Sequence, residues 1–179
     1  MSITLPALLT LATSEASLDH REPVALPTVA QKVLLAYRPE VRRLGLHVDA
    51  ATQPAALEGD PLLVERLVAN LFDNAVRHNV AGGRVEIATE TKHGCAVLSM
   101  ANTGPAIPPG EIHRLFQPFH RLNGRRAHSS GHGLGLTIVG AIATAHGAAM
   151  EAHAQPDGGL VVTVTFPPPI QAAVPAKSL

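Results

Sequence analysis

The chain has 179 residues with 14 basic and 14 acidic side chains, so its formal net charge is zero. This balance gives no bulk electrostatic reason to bind nucleic acid or an anionic membrane surface. A single cysteine, Cys95, excludes an intramolecular disulfide. No apolar run approaches the roughly 18 residues of a membrane span. We therefore expect a single core, with no nucleic-acid partner and no direct membrane contact.

The first elements in the chain are predicted to be helical. Four apolar side chains occur at positions i, i+3, i+4 and i+7 of an amphipathic helix: Leu5, Leu8, Leu9 and Ala12. Residues 19–27 contain two prolines and several charges, which predict a connector. A second helix is predicted from Thr28 to about Leu44, with a break or kink at Pro39.

Alternating apolar residues predict strands further along. Residues 46–50 and 55–59 are predicted to form short strands around a turn, and hairpins are predicted over 83–102 and 148–166. Together with the helices, they indicate an α+β fold with a mainly antiparallel sheet covered on one face. The proline-rich stretch 168–179 is predicted to be disordered.

One predicted helix, from Asp60 to His78, places amides on its apolar side. Asn74 projects into the apolar stripe, and Asn70 and Arg77 lie at its edge. A buried amide without a partner costs about 1–3 kcal/mol, so Asn74 needs one. Two partners remain open: a Mg²⁺ ion beside a nucleotide phosphate at Arg77, or a neighbouring loop.

Three alternating glycines, Gly131, Gly133 and Gly135, precede another helical pattern. Glycine weakens a helix, so its use there indicates close approach of an anion to unpaired N–H groups at the helix start. The spacing matches neither a dinucleotide-binding fingerprint nor a P-loop. A flexible, glycine-rich hinge therefore remains an alternative.

A turn follows the second strand of the first hairpin. Asn102 ends that strand, Gly104 and Pro105 form the turn, and Ile107 returns to the core. Such a turn places a polar side chain at the edge of a pocket and leaves the backbone accessible to a planar ring of a ligand.

Four segments, NLFDNAVRHN, NTGPAIP, LFQPFHR and GHGLGLTIV, occur in this order. They resemble the N, G1, F and G2 boxes of sensor histidine kinases, whose ATP-binding superfamily also includes DNA gyrase B, Hsp90 and MutL. The resemblance implies the Bergerat fold, an α+β two-layer sandwich whose mixed, mainly antiparallel sheet is covered on one face by helices. It implies a catalytic domain over 28–167 that binds ATP and Mg²⁺. Residues 1–18 resemble the end of a dimerisation helix and 19–27 the connector after it.

The resemblance also implies roles for individual residues. Asn74 corresponds to the asparagine that ligates Mg²⁺, and Asn70 to the first asparagine of the N box. Arg77 corresponds to the basic residue that contacts phosphate, and His78 to a residue that lines the nucleotide. The other implied nucleotide-binding residues are Asn102, Gly104, Ala106, Ile107, Phe119, Arg125, Arg126, Gly131, His132, Gly133, Leu134, Gly135 and Leu136.

By the same resemblance, residues 123–130 form a mobile lid over the nucleotide. Phe116 and Phe119 would anchor one end of it, and Arg125 or Arg126 would reach the γ-phosphate. His128 and His132 are spaced i, i+4 in this segment, but without a third ligand we do not expect zinc.

Two positions depart from the family pattern. Asn102 stands where the family usually has aspartate, so it can accept a hydrogen bond from the adenine amino group without charge assistance. This predicts weaker or less adenine-strict binding. Ala106 replaces the second glycine of the G1 box, a small change that leaves the backbone accessible.

No phospho-acceptor histidine is expected in the chain. His20 lies in HREP, where a proline three residues later disfavours helix. The resemblance implies that a dimerisation domain, in the same protein or in trans, supplies the acceptor, and that a response regulator is a further partner. The chain is then a monomer or weak dimer that binds ATP without phosphorylating itself.

The resemblance implies a cytoplasmic location, with the option of a membrane-anchored parent kinase. Two alternatives remain open: a non-catalytic regulatory nucleotide-binding module, and a serine kinase of the anti-sigma-factor type. The LFQPFHR segment favours the histidine kinases over the anti-sigma-factor kinases, which lack that box.

Overall fold

A computed structural model of the chain describes residues 20–116 and 135–169. In chain order the described elements are β1 (Glu22–Ala25), α1 (Leu26–Leu44), β2 (His47–Thr52), β3 (Ala56–Gly59), α2 (Pro61–Arg77), β4 (Arg84–Lys92), β5 (Cys95–Asn102), a 3₁₀ helix (Pro109–Phe116), α3 (Gly135–Ala145), β6 (Ala149–Ala154) and β7 (Leu160–Phe166). The predicted helix over 1–18, the predicted lid and residues 170–179 of the predicted tail lie outside the described residues.

The strands form two sheets. A five-stranded sheet has the order β2-β4-β5-β7-β6, in which β2 runs parallel to β4 and the other pairs are antiparallel. A small sheet pairs β1 with β3. Both predicted hairpins are confirmed, and the β4–β5 turn is made by His93 and Gly94, which have positive φ angles of 51° and 80°. The predicted α+β fold with a mainly antiparallel sheet is confirmed.

The core lies between the large sheet and the helices. Along β7 every second residue is buried, namely Leu160, Val162, Val164 and Phe166. This alternation places one face of the sheet against α1, α2 and α3. Seven residues of α2 are buried: Val64, Leu67, Val68, Leu71, Phe72, Ala75 and Val76. Helix α2 is therefore held in one rotational orientation, which determines where its polar residues lie.

The segment before α1 differs from the predicted connector. Glu22–Ala25 is a strand whose Val24 pairs with Leu57 of β3, and both side chains are buried. Four residues with an internal proline show too short an alternation of apolar and polar residues to predict a strand. Such a strand forms because it pairs with a partner strand. The folded unit thus includes residues that we predicted to lie before the domain boundary at residue 28.

Helix α1 continues through Pro39, so of the predicted break or kink the break is wrong. A proline inside a helix leaves the carbonyl four residues earlier, here that of Leu35, without its usual donor. Leu35 and Pro39 lie on the exposed side of α1, where water can bind that carbonyl. None of the described helices is long and apolar enough to cross a membrane.

Candidate functional site

Helix α2 begins at a side-chain cap. Asp60 Oδ1 accepts hydrogen bonds from the backbone N–H groups of Leu62 and Leu63 at 2.8 and 3.1 Å. Pro61 occupies the first helical position, where a missing N–H costs nothing. The cap and the buried apolar stripe together hold Asn70 and Asn74 at a half-buried edge of the helix.

Asn70 lies against the first residue of α3. Its Nδ2 donates to the Arg66 carbonyl at 2.8 Å, so Oδ1 is the remaining acceptor of the side chain. A Cβ added at Gly135 would lie 3.8 Å from that Oδ1, in ordinary contact distance. The structure therefore brings the N box and the last glycine of the predicted G2 box together. Leu136, the next residue, is buried in the core.

Asn74 is half-buried, and its carboxamide makes no hydrogen bond within residues 20–116 and 135–169. The alternative in which Asn74 ties down a neighbouring loop therefore has no partner in the described part of the chain. An amide oxygen is a suitable ligand for a hard cation such as Mg²⁺, so the residue fits the metal role that the sequence predicted.

Arg77 and His78 lie at the end of α2. Arg77 Nε donates to Asp73 Oδ2 at 2.6 Å, an ion pair one helical turn apart that remains exposed to solvent. His78 is also exposed, and its backbone N–H donates to the Asn74 carbonyl at 3.1 Å. Arg77 is thus close to Asn74 but is paired on its own helix.

A groove of about 670 Å³ lies beside Arg77, between the carboxyl-terminal parts of α1 and α2. Tyr37 and Asp73 line it, while Asn70, Asn74 and Asn102 do not. Burial raises the pKa of the Tyr37 hydroxyl, and the Asp73 carboxylate raises it further against the opposing effect of Arg77. Of the predicted site residues within the described part of the chain, only Arg77 lines this groove.

The side chain of Asn102 has a defined orientation at the end of β5. It is 5% exposed, and its Nδ2 donates to the Thr103 carbonyl at 2.8 Å. This bond commits the amide nitrogen and leaves Oδ1 as an acceptor that has no partner within the described residues. The predicted role, acceptance of a hydrogen bond from a base, is compatible with this orientation.

Gly104 packs against the end of α2. A Cβ on residue 104 would lie 2.6 Å from the His78 carbonyl oxygen, a distance that only glycine avoids. The turn after β5 and the end of the N box are therefore in backbone contact. Ala106 is exposed, and Ile107 packs at the edge of the core as predicted.

Asn79 and Thr103 add a polar link that the sequence analysis missed. Thr103 Oγ1 donates to Asn79 Oδ1 at 2.7 Å, and Asn79 Nδ2 donates to the carbonyls of Ala75 and Arg84 at 3.2 and 3.0 Å. The link joins α2, β4 and the turn after β5. An asparagine directly after a helix was the available signal, since it often satisfies the last carbonyls.

The 3₁₀ helix ends near the start of α3. Thr137 Oγ1 donates to the carbonyl of Phe116 at 3.3 Å. Phe116, one of the two predicted F box phenylalanines, is therefore placed beside the first turn of α3. Seven predicted site residues lie outside the described residues: Phe119, Arg125, Arg126, Gly131, His132, Gly133 and Leu134.

The fold is a mixed sheet covered by α-helices, with Asn70 of α2 against the start of α3 and Asn102 at the end of β5. These features are typical of a class of nucleotide-binding ATPase domains. Residues 59–170 match the model of the histidine kinase-, DNA gyrase B- and HSP90-like ATPases, and the chain belongs to this family. The ligand class of the family is therefore a nucleotide.

Curated relatives are sensor kinases. The chain is 42% identical over 167 residues to the sensor protein CutS of Streptomyces coelicolor, covering 92% of this chain and 40% of CutS. It is 32% identical over 160 residues to the histidine-protein kinase/phosphatase MprB of Mycobacterium avium, covering 89% of this chain and 30% of MprB. The chain thus spans less than half the length of these relatives.

Solved structures show the same fold. The mycobacterial sensor histidine kinase MprB matches with a TM-score of 0.73 and 31% identity, over 82% of this chain and 97% of that one. The catalytic domain of the histidine kinase ThkA matches with a TM-score of 0.73 at 22% identity, over 84% of this chain and 98% of that one.

Proposed function

We propose that this chain is the catalytic domain that binds Mg²⁺ and ATP in a sensor histidine kinase and donates the γ-phosphoryl group to a histidine of a dimerisation domain. The observation that carries the proposal is that Asn70 meets Gly135 one helical turn before Asn74, whose carboxamide has no hydrogen-bond partner within residues 20–116 and 135–169. The Asn74 carboxamide oxygen is a suitable ligand for a hard cation, and the N-terminus of α3 is a suitable binding site for an anion.

The described residues support a division of the site into two ends. At one end Asn102 Oδ1 accepts from the base, and Gly104 lets the backbone come close to it. At the other end Asn74 Oδ1 would hold Mg²⁺, and the N–H groups at the start of α3 would bind the phosphates. Arg77 reaches a phosphate by leaving Asp73, at little cost because the pair is exposed.

ATP supplies the phosphoryl group, and transfer depends mainly on alignment and charge stabilisation. The residues of this chain orient the triphosphate, and Arg77 adds positive charge beside it. Asn74 would hold a Mg²⁺ ion, which supplies further positive charge when bound. The predicted lid residues Arg125 and Arg126 would add charge at the γ-phosphate. The acceptor histidine comes from the dimerisation domain, so the chain alone binds ATP without phosphorylating itself.

The proposed partners are this dimerisation domain and a response regulator, with the domain itself a monomer or weak dimer in the cytoplasm. The names of the relatives support this choice over a purely regulatory nucleotide-binding module and over a serine kinase.

Titration calorimetry with ATP tests the nucleotide site. We expect binding that strengthens with Mg²⁺ in the wild type, and loss of the Mg²⁺ effect in Asn74→Ala. Gln31→Ala, an exposed change on α1, is the matched control and is expected to bind like the wild type. Absence of binding in the wild type, with or without Mg²⁺, would contradict the proposal.

Phosphoryl transfer is tested with a separately supplied dimerisation domain of a sensor kinase and labelled ATP. We expect label on that domain that is lost in acid, because a phosphoramidate hydrolyses where a serine phosphate ester does not. Binding of ATP without any transfer favours the regulatory module, and acid-stable label favours the serine kinase.

A further inference from the structure

The turn between β6 and β7 contacts the turn that follows Asn102. Gln155 Nε2 donates to the backbone carbonyl of Asn102 at 2.8 Å. The backbone N–H of Gly159 donates to the Pro105 carbonyl at 3.1 Å. Both ends of the turn after β5 are thus held by residues of one later turn.

Two glycines make this approach close. Gly158 and Gly159 are buried and have φ angles of 94° and 107°, which side chains other than glycine rarely adopt. A Cβ at Gly158 would overlap the carbonyl oxygen of Gly104, and a Cβ at Gly159 would overlap that of Asn102. The contact therefore needs glycine at both positions.

The turn between β6 and β7 is itself closed by hydrogen bonds. The Gln155 N–H donates to the Gly159 carbonyl and the Gly158 N–H donates to the Gln155 carbonyl, both at 3.0 Å. The backbone of Gln155 is therefore held in place, and its side chain reaches Asn102 from a defined origin.

We propose that Gln155 is a positioning residue for recognition of the base. It holds the backbone of Asn102, and the bond from Nδ2 to Thr103 then directs Oδ1 toward the exocyclic amino group of adenine. This inference rests on the proposed function. It extends the site to a residue that the four sequence boxes do not contain.

If Gln155 positions Asn102, its loss should weaken binding of ATP but not of a nucleotide that lacks the adenine amino group. Inosine triphosphate has the same sugar and phosphates as ATP but a carbonyl oxygen in place of the amino group. Since one hydrogen bond at the base is weakened, Gln155→Ala should reduce ATP affinity about threefold to tenfold. Its affinity for inosine triphosphate should stay unchanged, so the preference for ATP shrinks.

The experiment measures dissociation constants of ATP and inosine triphosphate, with Mg²⁺, for the full chain. The variants are Gln155→Ala, Gln155→Glu and His153→Ala. The glutamate is equal in size to glutamine but its carboxylate has no donor for Asn102. His153 lies two residues earlier on β6 with its side chain 71% exposed, so His153→Ala is the matched control.

The outcomes separate the inference from the function on which it rests. If the wild type does not bind ATP, the proposed function fails. If the wild type prefers ATP and the Gln155 variants keep that preference, or lose affinity for both nucleotides equally, only the inference is overturned. Thermal melting identifies variants that do not fold; if both Gln155 variants unfold, the residue is structural and the proposal is rejected.

Discussion

His78 and Gly104 are in backbone contact: a Cβ on residue 104 would lie 2.6 Å from the His78 carbonyl oxygen. Because α2 ends at this point and β5 ends two residues before Gly104, the contact joins the two segments that would bind the phosphates and the base. The Asn79–Thr103 hydrogen bond reinforces it. These two segments thus form one connected wall of the site.

Substitution of Gly104 by alanine tests this contact. We expect Gly104→Ala to displace the turn, to cost about 1–3 kcal/mol of unfolding free energy and to weaken ATP binding at least tenfold. Urea unfolding and calorimetry measure the two effects. Gly140→Ala is the control, since within the described residues its Cβ would meet only Met150 Cε, at 3.5 Å, and alanine favours the helix. Equal effects at both positions would contradict the argument.

Asn102→Asp should sharpen base selection at the expense of stability. A carboxylate accepts the adenine amino group with charge assistance, so we expect a higher ratio of ATP to GTP affinity than in the wild type. The Thr103 carbonyl loses its donor, which should cost about 0.5–1.5 kcal/mol of stability. Affinity ratios near one in both proteins would rule out a base contact at this position.

Asp60→Ala removes the cap of α2. Two N–H groups lose their acceptor, so we expect a loss of about 0.5–2 kcal/mol in unfolding free energy. Asp60→Asn keeps a side-chain oxygen as acceptor, so its unfolding free energy should be close to that of the wild type. At temperatures where both variants are folded, ATP affinity should match the wild type, since Asp60 lies ten residues before Asn70. A weakened affinity in folded Asp60→Ala would show that the cap also positions the site.

His146 should make stability depend on pH. It is 2% exposed; its Nε2 accepts from the Asp60 N–H at 3.2 Å and its Nδ1 donates to the Ile142 carbonyl at 2.8 Å. Burial lowers its pKa below 6.5, the Ile142 bond opposes this, and Arg21 and Asp60 act in opposite directions. The unfolded chain therefore binds the proton more readily than the folded chain.

The stability from neutral His146 is thus fully present above about pH 6.5 and is lost as the pH falls through the lower folded pKa. We expect urea unfolding from about pH 7.5 to about pH 5 to show a decline that is smaller in His146→Gln. Because other groups titrate in both proteins, the difference between the two curves is the quantity to compare. Parallel curves would be inconsistent with a buried, neutral His146.

Asp73→Asn should release Arg77 from its ion pair. Because the pair is exposed, we expect a change of stability of only about 0.3–0.5 kcal/mol. Arg77 is then free for a phosphate, so ATP affinity should rise about twofold at low salt. Arg77→Ala should lower ATP affinity instead. If Asp73→Asn also weakens ATP binding, the ion pair orients Arg77 for the phosphate, and Asp73 does not compete with the phosphate for Arg77.

Local features were predictable from the sequence. These features are the Asp60 cap before Pro61, the apolar stripe of α2 and both hairpins. Each depends on residues that are close in sequence, so the local pattern predicts it. The identity of the asparagines at Asn70, Asn74 and Asn102 was found in the same way, together with the order of the four boxes.

The tertiary structure alone decided how these pieces meet. The β1–β3 pair, the parallel placement of β2 beside β4 and the bond from Gln155 to Asn102, 53 residues apart, each depend on how separate segments pack. A glutamine after a strand or a four-residue strand with a proline is compatible with many environments. The sequence by itself therefore determined the local elements and predicted which residues form the site, and packing of the turn between β6 and β7 against the turn after β5 decided what holds Asn102 in position.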